Sequence, residues 1–190
     1  MKLLQYPFNE AMIQALHAGE DVILNGRIYT ARDRLHKYLF QGGNLPVDIR
    51  NAALFHCGPV VVRNGDKWTV LAMGPTTSLR HEPYMPYLIE KYKIKVIIGK
   101  GGMGDATRNA CRQYGCVYLQ VPGGVAAFLA EKVAEVNGVY FLKEFGAAEA
   151  MWEFVVKDLR AIVAIDCAGK SLFKKIELLS KKKLCRLFVP

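Results

Sequence analysis

The sequence contains neither a long apolar run nor a segment of biased composition. No stretch approaches the ~20 apolar residues that a helix needs to cross a bilayer, and the start of the chain, Met1 to Pro7, lacks the apolar core of a signal peptide. These absences argue against a membrane-spanning or secreted protein and favour a cytoplasmic one. With 52% hydrophobic and 23% charged residues, the 190-residue chain suits one globular domain, residues 1–190, with a real core.

Cysteine is present without any recognisable ligand or disulfide pattern. The number is odd and the spacing irregular: Cys57, Cys111, Cys116, Cys167 and Cys185. Cys111 and Cys116 are five apart, and no pair forms a C-x2-C type metal motif. We therefore expect reduced core thiols. The chain shows no cluster-binding motif of its own.

Acidic residues are too few to balance the basic ones. Lys and Arg number 26 against 17 Asp and Glu, which gives a net charge of +9. A basic excess raises the question of nucleic acid, but the charges are scattered. The densest cluster, within 174–183, is interpreted as a solvated helix face or a tail, with a binding patch as the alternative. The excess also suits small anionic substrates or an acidic partner subunit.

The periodicity of apolar residues alternates between helical and strand-like segments. Helical spacing predicts helices over 9–19, 31–40, 82–92, 105–114 and 125–136. Strand-like patterns cover 21–29, 54–62, 68–73, 95–98, 117–121, 154–156 and 161–166. Asn25-Gly26 and Asn64-Gly65-Asp66 are typical of hairpin turns. The alternation predicts an α/β fold with a mixed sheet.

The first candidate site is the loop Gly74-Pro75-Thr76-Thr77-Ser78-Leu79-Arg80. Three adjacent hydroxyls and the backbone N–H groups at a helix start can hold a carboxylate, and Arg80 offers a planar fork to the same group. The alternative is a capped turn with a surface arginine. Loops after sheet strands are where ligands usually bind in α/β proteins.

The second candidate is the loop 99–105, Gly-Lys-Gly-Gly-Met-Gly-Asp. Its spacing satisfies G-x-G-x-x-G, but an acidic ribose partner ~20 residues on is missing, since Gln120 and Val121 stand there. The loop does not have the residue order of a Walker motif, G-x-x-x-x-G-K-[ST]. The glycines suit an anion site with Lys100 as a point charge, and a plain tight turn is the alternative.

A third candidate is the segment 30–36, in which Arg32 and His36 are four apart and are expected on one helix face. The alternative is a solvated, salt-bridged helix start. His56 and His81 look isolated and are given no role.

Taken together, these segments resemble the β subunit, or C-terminal domain, of class I iron–sulfur fumarases and L-tartrate dehydratases. The resemblance spans about residues 22–172 in the family's order. Its matching pieces are Arg32-Asp33-x-x-His36-Lys37, Leu45-Pro46, Cys57-Gly58-Pro59, Gly74-Pro75-Thr76-Thr77-Ser78-x-Arg80, Gly99-Lys100-Gly101-Gly102-Met103, Gly123-Gly124 with Ala126-Ala127, Glu144-Phe145-Gly146-x-x-Glu149-Ala150-Met151-Trp152 and Asp166-x-x-Gly169-x-Ser171-Leu172.

The resemblance implies a swivelling β/β/α domain that works with an α subunit, in an α2β2 assembly. It also implies a [4Fe–4S] cluster held by three cysteines of that other subunit, with the fourth iron open to substrate. Carried over, Arg32, Arg80 and Lys100 would clamp a dicarboxylate, Thr76 would be the catalytic base and Thr77 its neighbour in the substrate pocket. Leu79-Arg80-His81 departs from the family's usual glycine-arginine-methionine and leaves the pocket wall there open.

The implied reaction is the reversible hydration of fumarate to L-malate. Dehydration of L-tartrate to oxaloacetate is the nearest alternative, because an extra hydroxyl needs only one different pocket contact. A stand-alone anion-binding module and a nucleic-acid binder are alternatives of other classes. Only the charge suggests the nucleic-acid binder, so we expect no nucleic acid and no membrane as partner.

Overall fold

The computed structural model of the protein describes residues 1–188. The strands are β1 (Lys2–Gln5), β2 (Asp21–Ala31), β3 (Ala53–His56), β4 (Val60–Asn64), β5 (Lys67–Ala72), β6 (Val96–Gly99), β7 (Val117–Gln120), β8 (Val133–Tyr140) and β9 (Met151–Ile165). The helices are α1 (Glu10–Gln14), α2 (Asp33–Phe40), α3 (Met85–Tyr92), α4 (Asp105–Tyr114), α5 (Ala126–Ala130), α6 (Leu142–Phe145) and α7 (Leu172–Phe188). A 3-10 turn covers Ser78–His81.

Seven of these strands form one mixed sheet in the order β1-β2-β3-β6-β7-β9-β8. The first five strands in this order, β1, β2, β3, β6 and β7, run parallel to one another. Strand β9 runs antiparallel to β7 and β8. The long strand β9 also pairs with β2, so the sheet curls into a partial barrel. The predicted α/β fold with a mixed sheet and flanking helices is confirmed.

Apolar side chains fill both faces of this sheet. Every residue of β3 and β6 is buried, as expected for central parallel strands covered on both sides. One core lies around Trp152 and Phe154, and the other lies around Tyr29 and Leu88 on the opposite face. Site loops at the ends of β3 and β6 therefore rest on a rigid base.

Helix ends follow local signals well. The Asn9 side chain accepts a hydrogen bond from the Met12 amide at 2.9 Å and caps α1. The predicted helix 105–114 matches α4, and Gly115 ends it in the left-handed conformation with φ of 63°. The hairpin predicted at Asn64-Gly65-Asp66 joins β4 and β5.

Several predicted elements are wrong where long-range pairing decides the backbone. Asn25-Gly26 is no hairpin turn, because β2 continues through it with a bulge, and a Cβ on Gly26 would lie only 2.7 Å from that of Tyr6. Strands β1, β2 and β3 consequently pair in parallel, and β4 with β5 is the one hairpin among the early strands of residues 1–188. The helix predicted over 125–136 is the short α5 followed by β8, and the two short closing strands are parts of the single strand β9.

The basic C-terminal cluster lies on α7, as the helix-face interpretation predicts. Its lysines are mostly exposed and alternate with exposed apolar side chains such as Leu178 and Leu184. Among residues 1–188, no helix is both long and apolar enough to cross a membrane.

The N-terminus of α4 is capped by the carboxylate of Glu82, a residue that precedes α3 in the chain. Glu82 accepts hydrogen bonds from the Gly104 amide at 2.8 Å, the Thr107 amide at 2.9 Å and the Thr107 hydroxyl at 2.6 Å. Gly104, the residue at the cap position, has no side chain to do this. Glu82 therefore ties the 99–105 loop to the 78–81 turn.

We predict that Glu82→Ala lowers the free energy of unfolding by about 2 kcal/mol, because it leaves partly buried donors unpaired. Glu82→Gln keeps an acceptor and should lose less. Urea unfolding of both variants measures the difference, with Glu90→Ala on the exposed face of α3 as the matched control. An unfolding midpoint for Glu82→Ala equal to that of the control would contradict the capping role.

Candidate functional site

The loop 74–80 lies across the ends of β3 and β6. Its Thr76 amide donates to the His56 carbonyl at 2.8 Å, and the Ser78 amide donates to the Lys100 carbonyl at 3.1 Å. Thr77 pairs with Lys100 as an isolated bridge. The preceding strand β5 belongs to a separate two-stranded sheet, so the expectation that this loop leaves a main-sheet strand is wrong. Main-chain hydrogen bonds bring it back to the sheet edge.

The 99–105 loop presents Lys100 at the same edge. Gly99 is required by close packing, since a Cβ there would overlap the Ser78 hydroxyl. The Lys100 side chain extends beside Gly123, whose Cβ would lie 3.4 Å from Lys100 Cδ. The start of α4 is occupied by the Glu82 carboxylate, which makes a dinucleotide phosphate at that helix start untenable.

Arg32 and Arg80 converge on one carboxylate, that of Asp33. Arg80 Nη2 lies 2.6 Å from Asp33 Oδ2, and Arg32 Nη2 lies 4.0 Å from the same oxygen. Arg32 Nε is 3.4 Å from Glu149 Oε1 without hydrogen-bond geometry. Arg80 is half exposed, with 56% of its side chain open to solvent. The two guanidinium groups thus share one surface.

Arg32 stands before α2 in an extended conformation, so the prediction that it shares a helix face with His36 is wrong. Its side chain lies against Gly58, leaving no room for a Cβ there. His36 points the other way, into the interior. The groups near the Arg32 guanidinium are the carboxylates of Glu149, at 3.4 Å, and Asp33, at 4.0 Å.

Three histidines form a buried cluster beneath these loops. The rings of His36, His56 and His81 are inaccessible to solvent, and their centroids lie 4.4 to 5.2 Å apart. His36 Nδ1 is 3.0 Å from His81 Nδ1. His56 and His81 look isolated in the sequence, and that interpretation is wrong. Each lies within two residues of a motif residue, Gly58 or Arg80, and that signal could have found them.

Burial is the main reason that these rings are neutral. It lowers the pKa of His81 to about 4; nearby Asp33 opposes the shift, while Arg80 and Arg32 add to it. Burial likewise brings the pKa of His36 well below its ordinary value, with His81 adding to the effect. The pKa of His56 falls for the same reason, with smaller contributions from His36 and His81. Each neutral ring offers one nitrogen as donor and one as acceptor.

The hydroxyls of the 74–80 loop contact this cluster. Thr76 Oγ1 donates to the His56 carbonyl at 3.2 Å and lies 3.3 Å from His81 Nε2. Ser78 Oγ lies 2.9 Å from His56 Nδ1. Thr77 is exposed beside them, Leu79 is exposed as well, and the His81 ring is buried.

Comparison with known proteins shows which family the chain belongs to. Residues 2–176 match the family described as Fumarase C-terminus. The chain is 45% identical over 189 residues to a putative fumarate hydratase class I of Geobacillus stearothermophilus, an alignment that covers 98% of the chain and 36% of that protein. It is 38% identical over 192 residues to a putative L(+)-tartrate dehydratase subunit beta of Methanocaldococcus jannaschii, covering 97% and 98%.

The chain belongs to the Fumarase C-terminus family. An L(+)-tartrate dehydratase subunit beta of Escherichia coli K12 is a further relative, 36% identical over 173 residues that cover 90% of the chain and 86% of that protein. The resemblance that the motifs predicted is confirmed. The chain spans 36% of the length of the Geobacillus relative, so it corresponds to one part of that larger protein.

The family's class I fumarases are iron–sulfur enzymes, and the side chains described here do not suit ligation of a cluster. Within residues 1–188, no group of three or more His, Cys, Asp or Glu side chains is arranged to hold a metal ion. Burial raises the pKa of the Cys57 thiol strongly, which disfavours the thiolate that iron binds. All five cysteines are free. The prediction of core thiols is correct for Cys57, Cys111 and Cys116, which are buried, and wrong for Cys167, which is partly exposed, and Cys185, which is exposed.

We predict that acid destabilises this Fumarase C-terminus chain through its histidine cluster. An unfolded histidine takes up a proton near pH 6.5, whereas the buried rings take it up only at lower pH, so stability is present above pH 6.5 and is lost as the pH falls. From pH 7.5 to 5.5 the free energy of unfolding should drop by about 1.4 kcal/mol for each buried ring. Urea unfolding across this range measures the slope.

His81→Met removes one titrating ring and should reduce that slope by about one proton. His17 is exposed in the segment that follows α1. His17→Asn is therefore the matched control and should keep the full slope. Equal slopes in His81→Met and the unchanged protein would show that His81 is not held neutral by the fold.

Proposed function

We propose that this chain is the β subunit of a two-subunit [4Fe–4S] hydro-lyase that reversibly hydrates fumarate to L-malate. The observation that carries the proposal is the convergence of two loops and a helix start: Thr77 pairs with Lys100, and Arg80 reaches Asp33 beside Arg32. A single domain over residues 1–190, an α2β2 assembly and a cytoplasmic location belong to the same proposal.

A small dicarboxylate suits these cations. Arginine forks bind carboxylates through two parallel hydrogen bonds, and the half-exposed Arg80 can turn from Asp33 to a ligand. Lys100 adds a point charge from the neighbouring loop. Because this face is open to solvent, the proposal assigns its other wall to the partner subunit, which would exclude water and strengthen each charge-assisted bond.

The cluster is proposed to lie on the α subunit, because the described side chains of this chain do not fit it. When bound there, it would supply Lewis-acid chemistry at the substrate hydroxyl. The residues of this chain have other tasks. Thr76 Oγ1 would take the proton from the carbon beside a carboxylate, and Lys100 with Arg80 would stabilise the negative charge that builds up on that carboxylate.

L-tartrate dehydration is a second candidate, and a specific observation favours it. The two relatives named as subunit beta of L(+)-tartrate dehydratase are matched over 98% and 86% of their own length. The Geobacillus fumarate hydratase is more similar in sequence, at 45% identity. The substrate contact that separates the two diacids would come from the partner's side of the pocket.

Co-expression with a candidate α subunit that carries three cluster cysteines tests the proposal. We expect the tagged chain to retain that subunit through anaerobic purification, and the complex to act on fumarate and malate faster than on tartrate. Faster turnover of tartrate would select the second candidate. A chain that binds dicarboxylate without any partner, and has no activity in the complex, would instead be an anion-binding module.

We predict different kinetic effects for the two kinds of site residue. Thr76→Ala should lower kcat by about 100-fold or more with little change in KM, because it removes a proton acceptor. Arg80→Ala should raise KM, because it removes a carboxylate contact. Steady-state kinetics of the complex measure both effects.

Arg63→Ala serves as the matched control for these variants, since Arg63 is an exposed arginine on the β4–β5 hairpin outside the site. It should leave both constants unchanged. If Thr76→Ala raises only KM, Thr76 binds substrate and does not act as the base.

A further inference from the structure

A hydroxyl, an imidazole and a carboxylate lie in sequence beneath the site. Thr76 Oγ1 is 3.3 Å from His81 Nε2, and the other nitrogen of that ring, Nδ1, is 3.7 Å from Asp33 Oδ1. The three residues come from the 74–80 loop, the end of the 3-10 turn and the first turn of α2. This is the order of the nucleophile–base–orienter arrangement by which proteins activate a hydroxyl, with Asp33 beside the ring but beyond hydrogen-bond distance of Nδ1.

A threonine hydroxyl needs such help, because at neutral pH it does not give up its proton unaided. His81 is neutral, so one of its ring nitrogens is free to accept. The negative charge of Asp33 beside Nδ1 favours the ring proton at that nitrogen, which leaves the lone pair of Nε2 facing Thr76.

His36 sets the remaining constraint on the ring. Its Nδ1 lies 3.0 Å from His81 Nδ1, so only one of these two nitrogens carries a proton. When His81 carries it, His36 accepts through Nδ1. His36 Nε2, which has no hydrogen-bond partner among the described residues, then holds the proton of that ring.

The other groups that face His81 are the ring of His56 and the cations Arg32 and Arg80. Both cations disfavour a charged ring, whereas Asp33 favours one. The ring therefore rests in its neutral form and gains a charge only while Asp33 is beside it. In the resting state the Thr76 hydroxyl donates its one proton to the His56 carbonyl, so the hydroxyl must rotate toward Nε2, 3.3 Å from Oγ1, before that proton can be transferred.

We propose that His81 is a positioning residue that accepts the Thr76 hydroxyl proton while Thr76 removes a proton from the substrate carbon. The proposal rests on the function proposed above. In the dehydration direction the C–H bond breaks, its electron pair stays on the substrate, and its proton goes to Thr76 Oγ1. The hydroxyl proton passes to His81 Nε2, and the resulting imidazolium pairs with Asp33. Loss of that proton to the hydroxide that leaves the substrate, which becomes water, restores the ring before the next turnover.

His81→Met in the assembled complex tests this relay, because methionine fills a similar volume and cannot accept the proton. We expect kcat to fall by about 100-fold with KM within about twofold. Combining His81→Met with Thr76→Ala should cost no more than Thr76→Ala alone, since residues that act as a unit are not additive. His17→Asn should match the unchanged complex.

A spectroscopic readout on the full chain separates a relay from a packing role. With ¹⁵N-labelled histidine, we expect the His81 ring to be neutral at pH 7 with its proton at Nδ1, and Thr76→Ala to shift the Nε2 resonance selectively. A proton at Nε2 in both proteins would overturn the relay.

The kinetic outcomes also distinguish this proposal from the one on which it rests. An unchanged complex without activity on fumarate, malate or tartrate overturns the function and the relay together. An active complex in which His81→Met keeps its kcat, or in which the two substitutions multiply independently, overturns the relay alone.

Discussion

The site depends on one close contact between the end of β6 and the start of the 3-10 turn. Gly99 and Ser78 approach so tightly that no Cβ fits between them, and the Ser78 amide bonds the Lys100 carbonyl. This contact aligns the threonine loop with the lysine loop and points Thr76 at the histidines below. The hydroxyls therefore owe their positions to main-chain pairing on a buried sheet, not to flexible side chains.

That arrangement buries three neutral histidines, which makes the free energy of unfolding depend on pH. Three uncharged rings packed together are stable only while they stay unprotonated, so the fold is most secure where the proposed proton acceptor is also in its active form. Stability and the proposed chemistry thus share one requirement. A histidine exposed to solvent would not make the stability of the fold depend on pH. It would, however, be protonated part of the time and then could not accept a proton from Thr76.

The sequence predicts those parts of the structure that local chemistry decides. The helix 105–114 carries its own stop signal in Gly115, and its bounds are correct. Asn25-Gly26 carries an equally good turn signal, yet pairing of β2 with β1 and β9 overrides it. The motif loops identify Arg32, Arg80 and Lys100 as neighbours only through resemblance. The contact of His36 with His81 joins positions 45 residues apart, and no periodicity in the sequence encodes it.

The charges on this face are consistent with the proposed second wall. Arg32, Arg80 and Lys100 supply three positive charges, and Asp33 and Glu149 take up two of them. One positive charge is left against the two negative charges of a dicarboxylate. A ligand that displaces Asp33 from Arg80 also leaves that carboxylate to His81, where it would balance an imidazolium. The remaining substrate charge must be met from outside this chain, which is the position that the proposal gives to the cluster-bearing subunit.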